Sequence, residues 1–401
     1  MSQMSVAIVG AGIAGLAFAA ALRRAGIDFR IYEQAPRLSE VGAGVQLAPN
    51  ATRELHRLGL GDALRAVAVA PLSIDIRRWD DATLLQRTPL GEPCLRRFGA
   101  PYYTVHRADL HGGLLSLVPP GRVHLGARCT AVTQTADKAR LRLSDGTTAE
   151  ADLVVGADGI HSAVRERLAA DRPRYSGQTI YRGLVPARRV PHLLAEPRVR
   201  LWFGPDRHCV CYPVSAGRLV SFGATVSAPE WQEESWSARG SVDDLAAAYE
   251  GWNEDVTRLI AAADAVSRWA LHDRDSLGRL SSGRITVIGD AAHPMLPFRA
   301  QGANQAIEDA IVLACCLADK GGTDLSAALN DYERIRLPRT GRVQRESRDS
   351  VTTYHLADGE AQRRRDAEGR DVAGLDRHQW LFGYDAQQAA TDRTTLARHT
   401  G

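Results

Sequence analysis

The chain has 401 residues, 44% hydrophobic and 24% charged, enough to bury a sizeable core in two or three domains. Fifty basic residues against 47 acidic ones leave a net charge of +3, so no strong field marks a nucleic-acid binder. No apolar stretch approaches the roughly 18 residues that span a bilayer. Six cysteines without a CxxC or framework spacing read as reduced, mostly buried thiols, and the expected location is the cytoplasm.

The first 33 residues read as one unit. Residues 5–9 are a short apolar run, Gly10-x-Gly12-x-x-Gly15 follows, and 16–24 continue with helical periodicity. Residues 28–32 form a second strand ending at Glu33, which completes a βαβ pattern. Residues 44–50 read as a loop or strand tail and 51–58 as a helix. The alternating segment 73–79 begins a sheet of a different kind. A strand at 102–106 leads into a helix over 107–117, and short strands follow at 123–125, 131–135 and 139–143. A buried-type strand at 152–157 closes in Asp158-Gly159, with a helix expected over 162–168. From 178 to 226 the rhythm changes to hairpins, the clearest domain signal in the chain. Helical patterns return at 242–263. A buried strand at 284–288 ends in Gly289-Asp290, a long helix runs from Gly302 to about 319, and further helices follow Leu325. The stretch after His355 is charged and reads as peripheral, except for the apolar cluster at 380–384.

Three turns carry chemistry. The glycines of the first allow a diphosphate to approach the free amides at a helix N-terminus, where the helix dipole favours negative charge. Glu33 is placed to accept hydrogen bonds from a ribose hydroxyl. At this point NAD and FAD are not distinguished. The second turn is Gly289-Asp290-Ala-Ala-His293, with Pro297 and Gly302 beyond it. Its Asp290 can take a polyol hydroxyl, Pro297 stiffens the loop, and the helix from Gly302 offers free amides. The third is Asp158-Gly159, followed by Ser162 and Arg165. Taken singly, the second and third are ordinary strand-to-helix turns.

Together, in this order, the motifs GAGIAG with Glu33, VVGADGIHSAVR and VIGDAAHPMLPFRAQGANQAIEDA resemble the class A flavoprotein aromatic hydroxylases over residues 5–350. Arg107 in VHRADL matches the family's helix-start arginine near the FAD phosphates. The runs from Glu40 to Asn50, Tyr181-Arg182-Gly183, His208-x-x-x-Tyr212-Pro213 and WLFGYD are similar to the salicylate hydroxylase and 6-hydroxynicotinate 3-monooxygenase branch. The resemblance implies an α/β protein with a Rossmann-like FAD-binding domain, an inserted β-sheet substrate domain and C-terminal helices. The expected division is 1–72, 98–175 and 275–350 for FAD, 73–97 and 176–274 for substrate, and 351–401 for the helical extension. FAD would rest on Gly10, Gly12, Ala14, Gly15, Glu33, Gln34, Gln46, Arg107, Cys129, Asp158, Asp290, Pro297, Gly302, Ala303 and Asn304. NAD(P)H would visit as a transient reductant, since no second glycine-rich motif exists, and O2 would react through a flavin C4a-hydroperoxide. No metal cluster is expected, and the assembly would be a monomer or homodimer.

The implied substrate is a small phenolic acid of the hydroxybenzoate, aminohydroxybenzoate or salicylate type. His208 and Tyr212 lie four apart on a strand and share a face, the expected pocket floor, with Cys209 and Cys211 packing on the other. The alternative is a face whose polar tips reach solvent. Tyr212, His208, Gln46 and Pro297 are the candidates beside the reaction. Gln46 stands where the 6-hydroxynicotinate enzymes carry a histidine, which disfavours a pyridine relay. Arg299 and Arg182 are candidates for a substrate carboxylate, though Arg299 could equally pair with a protein carboxylate and shape its loop. His293 reads as structural. The rival readings are a monooxygenase of larger natural-product scaffolds, an NAD-dependent dehydrogenase and a flavin-binding protein without turnover.

Overall fold

The computed structural model describes residues 4–38, 43–228, 239–320, 324–371 and 374–392. Residues 40–42 of the branch motif and 393–401 of the expected extension lie outside the described residues. No described helix is long and apolar enough to cross a membrane.

One sheet has the order Ser281–Ser282, Ile285–Val287, Leu153–Gly156, Ser5–Val9, Asp28–Tyr32, Val123–His124. All neighbours pair in parallel except the Ser281–Ser282 edge. Its central strands are buried along their length, which is why they read as unbroken apolar runs. One hydrophobic cluster joins this sheet to the helices Ile13–Ala25 and Gly302–Asp319 and to a three-stranded sheet over 129–151.

The second large sheet has eight strands, in the order Arg239–Gly240, Val266–Asp273, Arg174–Pro186, Leu219–Ser227, Arg207–Val214, Val199–Gly204, Ser73–Arg78, Leu84–Pro89. Only Val199–Gly204 and Ser73–Arg78 run parallel. Side chains alternate between its faces. Tyr181, Trp202, Cys209 and Cys211 pack under the helices Val242–Ala248 and Glu254–Ala261, while Arg182, His208, Val210 and Tyr212 face the other way, toward the parallel sheet. The two cysteines are thus packing residues, as their alternation implied.

One expectation changes. The helix over 162–168 shrinks to the turn Arg165–Arg167. Asp158 draws in Ser162 Oγ and the amides of Ala163 and Val164, and the buried Arg165 donates to the carbonyls of Ala291 and Ala292 and to Asp171. These side-chain bonds compete with helix continuation. The helical stretch 242–263 is two helices, parted at the left-handed Gly251 and capped anew by Asn253. The further helices expected after Leu325 are present, and the first, Leu325–Tyr354, runs for 30 residues through Pro338.

That long helix is tied to Gly302–Asp319 through buried charge. Arg336 donates to Asp309 at 2.7 Å and also binds Glu308, all three being fully buried. Arg339 forks onto Glu308 at 2.6 and 2.7 Å, and Asp309 also receives the Gly289 amide at 2.8 Å and His293 at 2.5 Å. Burial opposes ionisation of Asp309, yet His293 and Arg336 hold its carboxyl below the usual range. Removing one partner of such a buried set strands the others. Arg336→Met should lower unfolding free energy by about 3–5 kcal/mol, read as a denaturant midpoint shift.

Candidate active site

The site begins where the parallel sheet meets its first helix. Gly10 has φ +101°, and a Cβ there would stand 2.5 Å from the Ala157 carbonyl oxygen, so only glycine fits. A Cβ on Gly15 would lie 2.0 Å from the Gly10 carbonyl oxygen, which seats the helix against the strand. Gly12 is different: a Cβ there meets nothing within 4 Å, and its backbone lines a cavity of about 410 Å³ beside an N-cap that no side chain satisfies. Glu33 accepts the amides of Ala11 at 2.7 Å and Ala35 at 2.8 Å, one on each oxygen, which leaves each oxygen a further lone pair.

The same cavity is lined by Ala14, Gln46, Arg107, Asp290, Pro297, Gly302 and Ala303. Asp290 is open to it and accepts no hydrogen bond from the described residues. The surrounding protein raises its carboxyl by burial, against the pull of His293 and Arg107. A glycine cradle at a free helix start, an arginine, a carboxylate without a donor and a second helix N-terminus fit a diphosphate, a polyol and a flat ring in turn. These residues therefore fit FAD.

Other expected cofactor contacts sit differently. Asp158 caps its own turn, Gln34 is exposed, and Cys129 is buried with its thiol directed to the Ala131 carbonyl. None of the three lines the cavity. Asn304 donates to the carbonyls of Gln46 and Ala300 at 3.0 and 2.8 Å and accepts the Ala48 amide at 2.8 Å. Its side chain clamps two loops, and the residue is fully buried and lines neither cavity.

A second cavity of about 530 Å³ adjoins the first and shares Gln46, His208, Val210, Pro297 and Phe298 with it. Gly44 lies directly on the substrate sheet: its amide donates to Ser221 Oγ at 2.9 Å, and a Cβ there would fall 2.4 Å from the Tyr212 ring. Burial raises the Tyr212 phenol above its ordinary value, opposed by Arg182, Ser221 and Gln46, so Tyr212 is a neutral donor. Tyr102 donates to Gln46 Oε1 at 2.7 Å. His208 is 3% exposed, and its Nδ1 lies 2.8 Å from His355 Nε2. Its face toward the cavities is shared with Tyr212, as the four-residue spacing requires.

The two arginine candidates part company. Arg299 donates to Glu346 at 2.9 Å, so a protein carboxylate already balances it. Arg182 has no ion-pair partner among the described residues. Its guanidinium lies 4.7 Å over the Trp269 ring, and its Nε is buried without a hydrogen bond. Burial pulls its pKa down, Tyr212 raises it, and nearby Arg107 lowers it. His293 binds Asp309 and is structural. The charged part of the C-terminal segment is less peripheral than its composition suggested, because Arg365, Asp366, Arg377 and His378 line the second cavity beside Leu381 and Phe382 of the apolar cluster. Tyr102, His355 and Arg377 carry no local motif, and only the folded chain brings them here.

A family profile described as FAD binding domain matches residues 3–347. The chain is 51% identical to 3-amino-4-hydroxybenzoate 2-monooxygenase PtmB3 of Streptomyces platensis over 383 residues, 95% of this chain and 96% of that one. It is 38% identical to 6-hydroxynicotinate 3-monooxygenase of Bordetella bronchiseptica, covering 95% of each chain. The structure of a salicylate hydroxylase substrate complex superposes with a TM-score of 0.82 at 30% identity, covering 97% of this chain and 98% of that one.

Two glycine variants separate cofactor binding from folding. Gly12→Ala, in an ordinary extended conformation with open space before it, should leave the apoprotein's Tm unchanged yet weaken FAD by ~10-fold or more. Gly15→Ala should lower the apoprotein's Tm as well. Equal FAD titrations for wild type and Gly12→Ala would remove this residue from the cofactor cradle.

Proposed function

The chain belongs to the FAD-binding domain family, within its FAD-dependent aromatic monooxygenases, and from that premise we propose that it hydroxylates an aminohydroxybenzoic acid. FAD, reduced by NAD(P)H, supplies the chemistry of oxygen activation; the chain's residues supply the rest. The 51% identity to a 3-amino-4-hydroxybenzoate 2-monooxygenase over nearly the whole of both chains supports the amino- and hydroxyl-substituted ring.

One observation carries the acid part of this reading. Arg182 is a half-buried guanidinium beside Tyr212, its Nε fully buried, with no carboxylate among the described residues to balance it. Desolvating a cation without an anion is costly, and a ring carboxylate matches its planar fork. Tyr212 donates to the substrate. His208 and Gln46 face the ring's hydroxyl and amino groups, and Pro297 holds the loop beside the cofactor. The shared apolar wall of Val210 and Phe298 excludes water from the reacting carbon. Arg299, paired with Glu346, shapes the loop and does not read the substrate's charge. Dependence on NAD(P)H and six free thiols support a cytoplasmic enzyme.

The purified protein should consume NAD(P)H with 3-amino-4-hydroxybenzoate and place one atom of labelled O2 in the product. Consumption at the background rate with no oxygenated product would refute the reading. Arg182→Gln should raise KM for the acid by ~10-fold or more, corresponding to about 1.5–3 kcal/mol for a charged hydrogen bond, and change the carboxamide analogue little. Arg299→Leu should affect acid and amide alike. Tyr212→Phe should keep FAD and thermal stability while losing hydroxylation rate or coupling. Acid and amide responding equally to Arg182→Gln would rule out Arg182 as the carboxylate partner.

A further inference from the structure

Behind the cavity wall lies a polar pair that the reaction as described does not use. His208 points into both cavities from the strand Arg207–Val214. Its Nδ1 is 2.8 Å from Nε2 of His355, the residue that ends the helix Leu325–Tyr354. The two rings stack at 5.1 Å between centroids. Thr225 Oγ1 sits 3.1 Å from His208 Nδ1 and 3.4 Å from His355 Nε2, and it accepts the His208 amide at 2.9 Å. From the opposite side of the sheet, Tyr249 donates to the carbonyls of His208 and Thr225 at 2.7 and 2.8 Å. Phe203, Phe298 and Tyr354 form an aromatic collar around the His208 ring.

Packing alone does not call for this pair. Two facing imidazole nitrogens can share only one proton, so each ring's tautomer is set by the other. At the far end, His355 Nδ1 is buried and has no hydrogen-bond partner among the described residues, though the residue itself is 9% exposed. The chain of nitrogens therefore runs from the cavity to an unpaired nitrogen just beneath the surface.

We infer that His355 is a positioning residue that makes His208 the inner half of a two-histidine proton relay draining the substrate cavity. This rests on the proposed placement of His208 against the ring's donor group. As the new carbon–oxygen bond forms, the hydroxyl or amino group that feeds electrons into the ring becomes strongly acidic. Its proton goes to His208 Nε2, the Nδ1 proton of His208 passes to His355 Nε2, and the Nδ1 proton of His355 leaves to water. The ring loses one positive charge, water gains one proton, and both imidazoles end neutral with the proton on Nε2. Once product has left, the reverse shift restores both tautomers: His208 Nε2 gives its proton to water filling the emptied cavity, and His355 Nδ1 takes one from solvent.

The surroundings favour passage over storage of charge. Burial, then His355, holds His208 well below the ordinary histidine range, and burial, then Arg207, brings His355 down to about 4. The other charged or titratable groups around the pair are Asp206, whose amide donates to the His355 carbonyl, Tyr354, Tyr249, Arg365 over the Phe203 ring and Arg299 on the Phe298 loop. Neutral rings between cationic neighbours hand a proton on and do not hold it.

The test uses FAD-loaded enzyme with 3-amino-4-hydroxybenzoate as the probe. His355→Leu removes the contact, and His355→Gln keeps an amide oxygen to accept from His208 Nδ1 without a transferable proton site. In both variants kcat for hydroxylation should fall ~10-fold or more with KM nearly unchanged, and small imidazole buffers should restore the His355→Leu rate in proportion to their basicity. FAD content and Tm serve as folding controls. If His355→Gln restores wild-type kcat, His355 only orients His208 and the relay is overturned. Wild-type kcat in both variants overturns it equally. If His208→Gln also leaves kcat unchanged, the placement of His208 at the ring fails along with it. A loss confined to His208→Gln removes the relay alone.

Discussion

Two adjacent acids, Glu308 and Asp309, lie fully buried on the helix Gly302–Asp319, and the site's loops are anchored to them. Asp309 takes the Gly289 amide and His293, which fixes the turn presenting Asp290. Glu308 takes Asn50, which holds the start of the helix Pro49–Arg57 just after the strand that carries Gln46. Arg336 and Arg339 neutralise both acids from the helix Leu325–Tyr354, the same helix that delivers His355 at its far end. A buried carboxylate is tolerable only with such partners, so the network sets the relative position of cofactor turn, ring loop and C-terminal helix as one unit.

The substrate sheet meets that unit through close backbone approach and not through charge. Gly44 sits against Tyr212 and Ser221 so tightly that no side chain is possible there. Asn304 clamps the adjoining strand to the Pro297–Arg299 turn. The consequence is a wall shared by two cavities, in which Gln46, His208 and Pro297 belong to both.

Charge around the wall is divided with equal economy. Arg299 is balanced by Glu346 and Arg165 by Asp171, whereas Arg182 rests on an aromatic face with no counterion among the described residues. Asp290 is the converse case, a carboxylate without a donor, open to the cofactor cavity. Unbalanced groups of opposite sign at different places along a cleft sort an extended cofactor and an acid substrate into separate positions.

The βαβ start, the strand at Asp28–Tyr32, the helix Gly302–Asp319 and the shared face of His208 and Tyr212 were all legible in the sequence. Each depends on a local rule: helix or strand periodicity, glycine at a close approach, or alternation along a pleat. The glycine cradle left NAD and FAD undistinguished, and the cofactor's identity became legible only through the family resemblance of the three motifs taken together. Which arginine stands unpaired was not, since Glu346 meets Arg299 across 47 residues and Arg182 owes its isolation to what the fold leaves away from it. Nor could spacing reveal that Asp158 and Asn304 turn inward to hold backbone, that Arg377 returns from the C-terminal segment to line a cavity, or that His355 backs His208. A side chain's type and face follow from its neighbours in sequence, but its partner is settled by long-range packing, where burial makes each unpaired polar group too costly to leave to chance.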